Sequence, residues 1–272
     1  MPVADFIPRE ARRRFLVAPL LGMTIGCAPA LSSGSPQPVD PRQVQPERPT
    51  VATHAGTVAT GYIEIETGAE RDRNEDGSHA FLIPNEIKVG LAPRVQLSAF
   101  LPVTSATGVS LGLGDVAAGI KWRLVDGDGP LQRFAILPLV KFPTGGDRGT
   151  TTTDLGLLLI DSRQIGPASL DLNTGLTRRS GDGTSSPRLS TFWTAAGAVP
   201  VAGPFGWQLE CFGFPGTHGP AGTAPTVAIL TGPTLGMARW IAFDAGLIIP
   251  VAGPQARAFY TGLVTNLGTL RR

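Results

Sequence analysis

Asp115-Val116-Ala117-Ala118-Gly119-Ile120-Lys121-Trp122-Arg123-Leu124-Val125 changes character at every step. Val116, Ala118, Ile120, Trp122 and Leu124 share one parity; Asp115, Ala117, Gly119, Lys121 and Arg123 share the other. Successive side chains leave opposite faces of a strand, so this stretch has one apolar face and one polar or small face. The pattern recurs. Val95, Leu97, Ala99, Leu101 and Val103 alternate with Gln96, Ser98, Phe100 and Pro102; Leu170, Leu172, Thr174 and Leu176 alternate with Asp171, Asn173, Gly175 and Thr177. Ile241, Phe243, Ala245, Leu247 and Ile249 alternate in the same way with Ala242, Asp244, Gly246 and Ile248.

A soluble sandwich shows this period too, so the connections decide. Strands are expected near 57–68, 79–91, 94–103, 113–125, 130–143, 151–164, 168–178, 188–200, 204–214, 224–237, 240–249 and 255–268. Tight links join alternate pairs: 91–94, 126–129, 165–167, 201–204 and 237–239. The intervening stretches 69–78, 104–112, 144–150, 179–187 and 215–223 are polar and mostly longer. Short turns on one rim and long loops on the other mark a transmembrane barrel, and an even strand number puts both termini on the short-turn rim. The expected fold is all-β: a closed antiparallel outer-membrane β-barrel of about twelve strands, in a bacterial outer membrane.

Composition agrees. Charged residues are 16% of the 272, and 35 Gly with 25 Pro disfavour long helices. Arg12, Arg13 and Arg14 precede an apolar run from Phe15 to Ile25 and then the small residues around Cys27, the order of a secretory signal over residues 1–30. The same arginines fit a twin-arginine pattern, and Thr24-Ile25-Gly26-Cys27 resembles a lipid-attachment box with Cys27 as acceptor. Residues 31–54, rich in Pro, Ser and Gln, read as a flexible periplasmic tether with little to bury, leaving 55–272 for the barrel. Removing residues 1–30 deletes four arginines and two acids, which evens the 23 basic and 21 acidic side chains and leaves nothing to attract nucleic acid. Cys211 has no cysteine partner if Cys27 is removed or lipidated.

Gly61-Tyr62-Ile63-Glu64-Ile65-Glu66-Thr67-Gly68 is similar to the opening strand of outer-membrane proteins grouped as meta-pathway phenol-degradation transporters. Pro84-Asn85-Glu86-Ile87-Lys88-Val89-Gly90-Leu91, Gly112-Leu113-Gly114-Asp115 and Lys141-Phe142-Pro143-Thr144-Gly145 resemble later landmarks of that family. The resemblance spans most of 57–268. It implies a barrel that passes aromatic or other apolar small molecules. Tyr and Trp are scarce for such a barrel, at 2 and 4 residues, so its aromatic girdles should be thin.

Motifs for catalysis do not hold together. Gly108-Val109-Ser110-Leu111-Gly112 fits the nucleophile-elbow string but lacks its helix, and Gly112-Leu113-Gly114 mimics a dinucleotide turn without one. Asp72, Asn74, Asp76 and Gly77 match half of a calcium loop, whose twelfth position is Ile83 instead of Glu. A solvated acidic hairpin is the plainer account. His54, His79 and His218 form no metal-spaced pair, with His54 and His218 expected in solvent, and Cys211 shares the apolar parity of Trp207 and Leu209. No enzyme activity and no cofactor are expected.

The functional candidates are the lumen-parity charges Glu64, Glu66, Glu86, Lys88, Asp115, Lys121, Arg123, Arg133, Lys141, Asp154, Asp171, Glu210 and Asp244. Ions kept from bulk water must pair or line a wet passage. Three readings compete: a constriction that selects solutes in passive uptake of small apolar or aromatic molecules, an ion-paired plug in a structural or surface-binding barrel, and, behind both, an outer-membrane enzyme, for which no Ser, His and acid constellation is legible. The implied partners are outer-membrane lipid, a small solute and the barrel-assembly machinery.

Overall fold

The computed structural model describes residues 40–47, 51–127 and 131–270. Apart from one 3-10 turn at Gly146–Arg148, its regular structure is strand. The segments are β1 (Tyr62–Arg73), β2 (His79–Ile83), β3 (Glu86–Ala92), β4 (Val95–Phe100), β5 (Val103–Ala106), β6 (Val109–Leu113), β7 (Val116–Asp126) and β8 (Arg133–Phe142). They continue with β9 (Asp154–Ile165), β10 (Ala168–Arg179), β11 (Leu189–Ala202), β12 (Phe205–Phe214), β13 (Thr226–Ala238), β14 (Ile241–Ala252) and β15 (Arg257–Thr269). All strand pairings are antiparallel, and β15 pairs with β1 along its whole length, so the sheet closes on itself.

Three wall strands are kinked. Pro84-Asn85 separates β2 from β3, Leu101-Pro102 separates β4 from β5, and Gly114-Asp115 separates β6 from β7. The fifteen segments therefore form twelve staves. Proline at two of the breaks has no N–H to give the ladder. Side chains and displaced backbone groups sew the gap: Asn85 donates to the Leu101 carbonyl at 3.0 Å and accepts from the Thr67 hydroxyl at 2.8 Å. The Gly114 N–H reaches the Pro102 carbonyl at 2.8 Å, and the Thr144 hydroxyl takes the Val116 N–H at 2.9 Å while donating to the Gly114 carbonyl.

One rim carries the connections 93–94, 127–132, 166–167, 203–204 and 239–240; the other carries 74–78, 107–108, 143–153, 180–188, 215–225 and 253–256. The stretch 104–112 is mostly strand instead of the expected loop. Its β5 and β6 form a hairpin closed at Thr107-Gly108, where Gly108 has φ +80°. The first stave is Tyr62–Arg73 instead of 57–68, because Gly61, at φ +81°, turns the chain into the wall only there.

The faces separate cleanly. Ile120 is 47% and Trp122 52% exposed on the outside of β7, and Leu155 on β9 reaches 59%. Outward aromatic side chains gather near both rims, with Phe205, Trp207 and Phe243 at the short-turn end and Phe142 and Phe259 at the other. Such a continuous apolar exterior over a charged interior belongs in lipid. The molecule is a transmembrane β-barrel of the outer-membrane type.

Candidate functional site

The lumen holds a segment of the chain itself. Residues 40–47 and 51–54, expected to form a solvated tether, run inside the barrel together with 55–61. The segment enters at the short-turn rim, where the Val44 N–H bonds to the Arg239 carbonyl at 2.8 Å and Arg42 lies 5.5 Å over the Trp240 ring. It climbs past Glu64 and Glu66 on β1, reaches Glu210 midway along β12 and Asn173 midway along β10, and returns past Ser162 and Gln96. Its composition explains why it needs the wall. A Pro-rich, irregular backbone has N–H groups with no ladder, and once out of water each must find an acceptor.

The wall supplies those acceptors. Glu64 takes the Gln45 N–H at 2.8 Å and Glu66 the Glu47 N–H at 2.6 Å. Glu210 takes Val51 and Ala52 at 2.8 and 2.7 Å. Asn173 both accepts from Thr53 and donates to its carbonyl, the Ser162 hydroxyl takes the Ala55 N–H, and Gln96 takes that of Val58. The carboxylates sit where successive amides of a threaded chain can reach them.

Cations complete the network. Lys88 bridges Glu64, at 2.6 Å, and Glu66, and donates to the Gln45 carbonyl. Lys121 pairs with Glu47 of the inner segment and donates to the carbonyls of His54 and Gly56, both at 3.2 Å. Glu86 lies buried beside this group. His54, expected in solvent, is held in the lumen: its Nδ1 accepts the Gly56 N–H at 2.8 Å. The turn there is tight: a Cβ on Gly56 would come within 2.6 Å of His54 Nδ1 and 2.7 Å of Gln45 Oε1, so both side chains would have to shift.

A second ion cluster closes the side near the long loops. Lys141 contacts Asp115 at 2.9 Å and Asp154 at 3.1 Å, and Arg179 reaches Asp154 at 3.3 Å. Asp115 also accepts the Gly145 and Thr150 N–H groups at 3.0 and 2.7 Å, which folds the 143–153 loop over the lumen. Gly149 must stay bare, since a Cβ would meet the Asp115 carboxylate at 2.0 Å. The Gly112-to-Asp115 and Lys141-to-Gly145 motifs thus meet at one level of the barrel.

Opposite Glu64, Glu66, Lys88 and Lys121, the inner face of β8 to β15 carries apolar clusters beside its own ions. Leu137, Leu139, Leu158, Ile160 and Phe192 pack with Ala55 of the inner segment, while Phe212, Leu230, Ile248 and Tyr260 form a second cluster. Val51 and Phe214 touch both. The Phe214 ring centroid lies 6.1 Å from those of Phe192 and Phe212, the latter edge-on at 82°. The Tyr260 hydroxyl oxygen accepts a hydrogen bond from the Gln208 side-chain amide at 3.0 Å.

Other candidates lie elsewhere. Asp171 is buried beside Ser162 and Asp244 on the inner face of β14, whereas Arg123 is half-buried at the short-turn rim with Asp126, at 3.1 Å, and Arg133 is exposed there. Asp72 faces the lumen while Asp76 caps Ser78 and Asn74 donates to the Ser78 hydroxyl, so the calcium-loop oxygens do not converge. Ser110 lies exposed on β6, bonded to Arg148, and His218 is exposed in its loop. Cys211 is a free, half-buried thiol on β12. Cys27 and the 1–30 leader lie outside the described residues. Glu47 and Ser162 were missed, the first because it sits in the Pro-rich stretch; Arg179 was legible as the next inward position after Thr177.

No family model matches the chain, and no curated protein matches it. Among solved structures it is similar to an outer membrane channel from Pseudomonas putida F1, with 13% identity, a TM-score of 0.64 and coverage of 78% of this chain and 98% of that one. It is also similar to the NanC porin, with 12% identity, a TM-score of 0.53 and coverage of 75% and 100%. At such identities the likeness concerns the fold, a closed twelve-stave outer-membrane barrel. The phenol-degradation resemblance gains no family match from it.

Proposed function

We propose that this barrel is an outer-membrane channel for small apolar or aromatic solutes, closed in the present state by its own residues 40–47 and 51–61. The apolar inner wall carries this reading. A water-filled pore has no use for Leu137, Leu158, Phe192, Phe212 and Leu230 on its inner face, whereas an apolar solute gains from each. The ionic wall holds the closing segment and disfavours free ions in the same passage. A permanently closed structural barrel is the second reading, favoured by the number of bonds the inner segment makes.

Uptake separates them, provided the barrier resists apolar molecules. Vesicles with lipopolysaccharide in the outer leaflet, loaded with wild-type protein, should accumulate a small neutral aromatic several-fold faster than protein-free vesicles. Leu158→Asn with Leu230→Asn should remove most of that gain. Uptake at the protein-free rate would leave only the structural barrel.

A further inference from the structure

On the outside of the barrel, where β15, β1 and β2 meet near the long loops, three arginines share one patch. The register sets Arg73 directly opposite Arg257 across β1 and β15, and opposite His79 across β1 and β2. Arg71, two residues along the same face, lies between Phe259 and Phe81. Glu64, Glu66 and Asp72 occupy the inward parity of β1, and Ala258 and Tyr260 that of β15, so all three arginines point outward; each is exposed.

Like charges directly opposite in an antiparallel pair destabilise it, with Cβ atoms only about 5 Å apart. The described ion pairs give these arginines no relief: the barrel's salt bridges use Arg94, Arg123, Arg163, Arg179 and Arg239, never this trio. Nearby acids are committed or lie off the face. Asp76 accepts both the N–H and hydroxyl of Ser78, Glu75 sits exposed in the 74–78 turn, and Glu70 and Asp72 are on the lumen parity. Beside the patch the surface is apolar: Phe259, 56% exposed, and Leu247 lie level with Arg71, and Ile249 follows one step further along β14.

We propose that Arg71, Arg73 and Arg257 bind the phosphate groups of a lipid headgroup in the outer leaflet, such as a diphosphorylated lipid A. Arginine matches phosphate geometry through paired N–H donors. The long-loop rim is the outer surface of such a barrel, which places Arg73 and Arg257 at headgroup depth and Arg71, flanked by Phe81 and Phe259, where the acyl chains begin. A free phosphate ion would use only the charges. A phosphorylated lipid uses both the charges and the apolar side chains among them, so the lipid is the occupant.

The test is native mass spectrometry of the full chain in detergent, titrated with diphosphoryl lipid A, with its dephosphorylated form and with inorganic phosphate. Wild type should bind the diphosphoryl form far better than the dephosphorylated one. Arg71→Gln, Arg73→Gln and Arg257→Gln should each weaken it about fivefold. Arg178→Gln, an exposed arginine on β10, should leave binding unchanged and guards against a general charge effect. Heat-dependent gel mobility reports folding of each variant. Equal binding of the two lipid A forms, an unchanged triple variant, or full displacement by millimolar phosphate would overturn the proposal.

Discussion

Ile120 and Lys121 are neighbours in the chain with opposite surroundings. The first projects into the lipid-facing belt; the second is fully buried in the lumen, where its ammonium meets Glu47 and three further oxygens. The physics of each position differs accordingly. Arginine in place of Ile120 puts an unpaired charge toward lipid and should cost about 2–4 kcal/mol near the membrane midplane. Methionine in place of Lys121 fits by volume but strands the Glu47 carboxylate out of water, which should cost about 3–5 kcal/mol. Urea titration of refolding into vesicles measures both. Near-wild-type stability for Lys121→Met would mean that Glu47 is not held as a buried ion.

The inner segment is the element that departs most from its sequence. Alternation made the staves legible because each has one lipid face and one lumen face, and the 2-residue period records that division directly. Residues 40–47 and 51–61 have no such period. Their burial comes from backbone amides meeting Glu64, Glu66, Glu210, Asn173 and Gln96, long-range contacts that leave no local trace. The lumen charges were legible by parity, but not that they face a chain segment instead of water. Glycine was the one local clue: a Cβ on Gly90 would lie 2.1 Å from the Ala59 carbonyl as the returning limb crosses β3. Gly90→Val should therefore expel that limb while the staves stay paired. Limited proteolysis from the short-turn side should then cut within 51–61 in the variant and spare wild type. Equal protection in both would contradict the crossing.

At the scale of the whole molecule, charged and apolar side chains share the lumen unevenly, with buried ions on both halves and the two large apolar clusters on β8 to β15. Staves from β1 to β7 carry most of the ions that hold the inner segment, and β8 to β15 carry the apolar surface proposed to guide a solute. One segment touches both, since Glu47 pairs with Lys121 while Val51 and Ala55 pack on the apolar clusters. Opening must therefore break ionic and apolar contacts together, which makes closure a property of the entire lumen. Ala52 shares one buried cluster with Ala196 and Ala198 of β11, which makes the pair 52 and 196 the place to try a cross-link. The most direct measurement is planar-bilayer conductance of Ala52→Cys with Ala196→Cys in a Cys211→Ser background. The account predicts that the oxidised protein shows no opening events and that reductant restores the brief, small openings of the uncross-linked barrel. Identical conductance before and after reduction, with the disulfide verified by mass, would contradict the proposal that the inner segment, residues 40–47 and 51–61, is the gate.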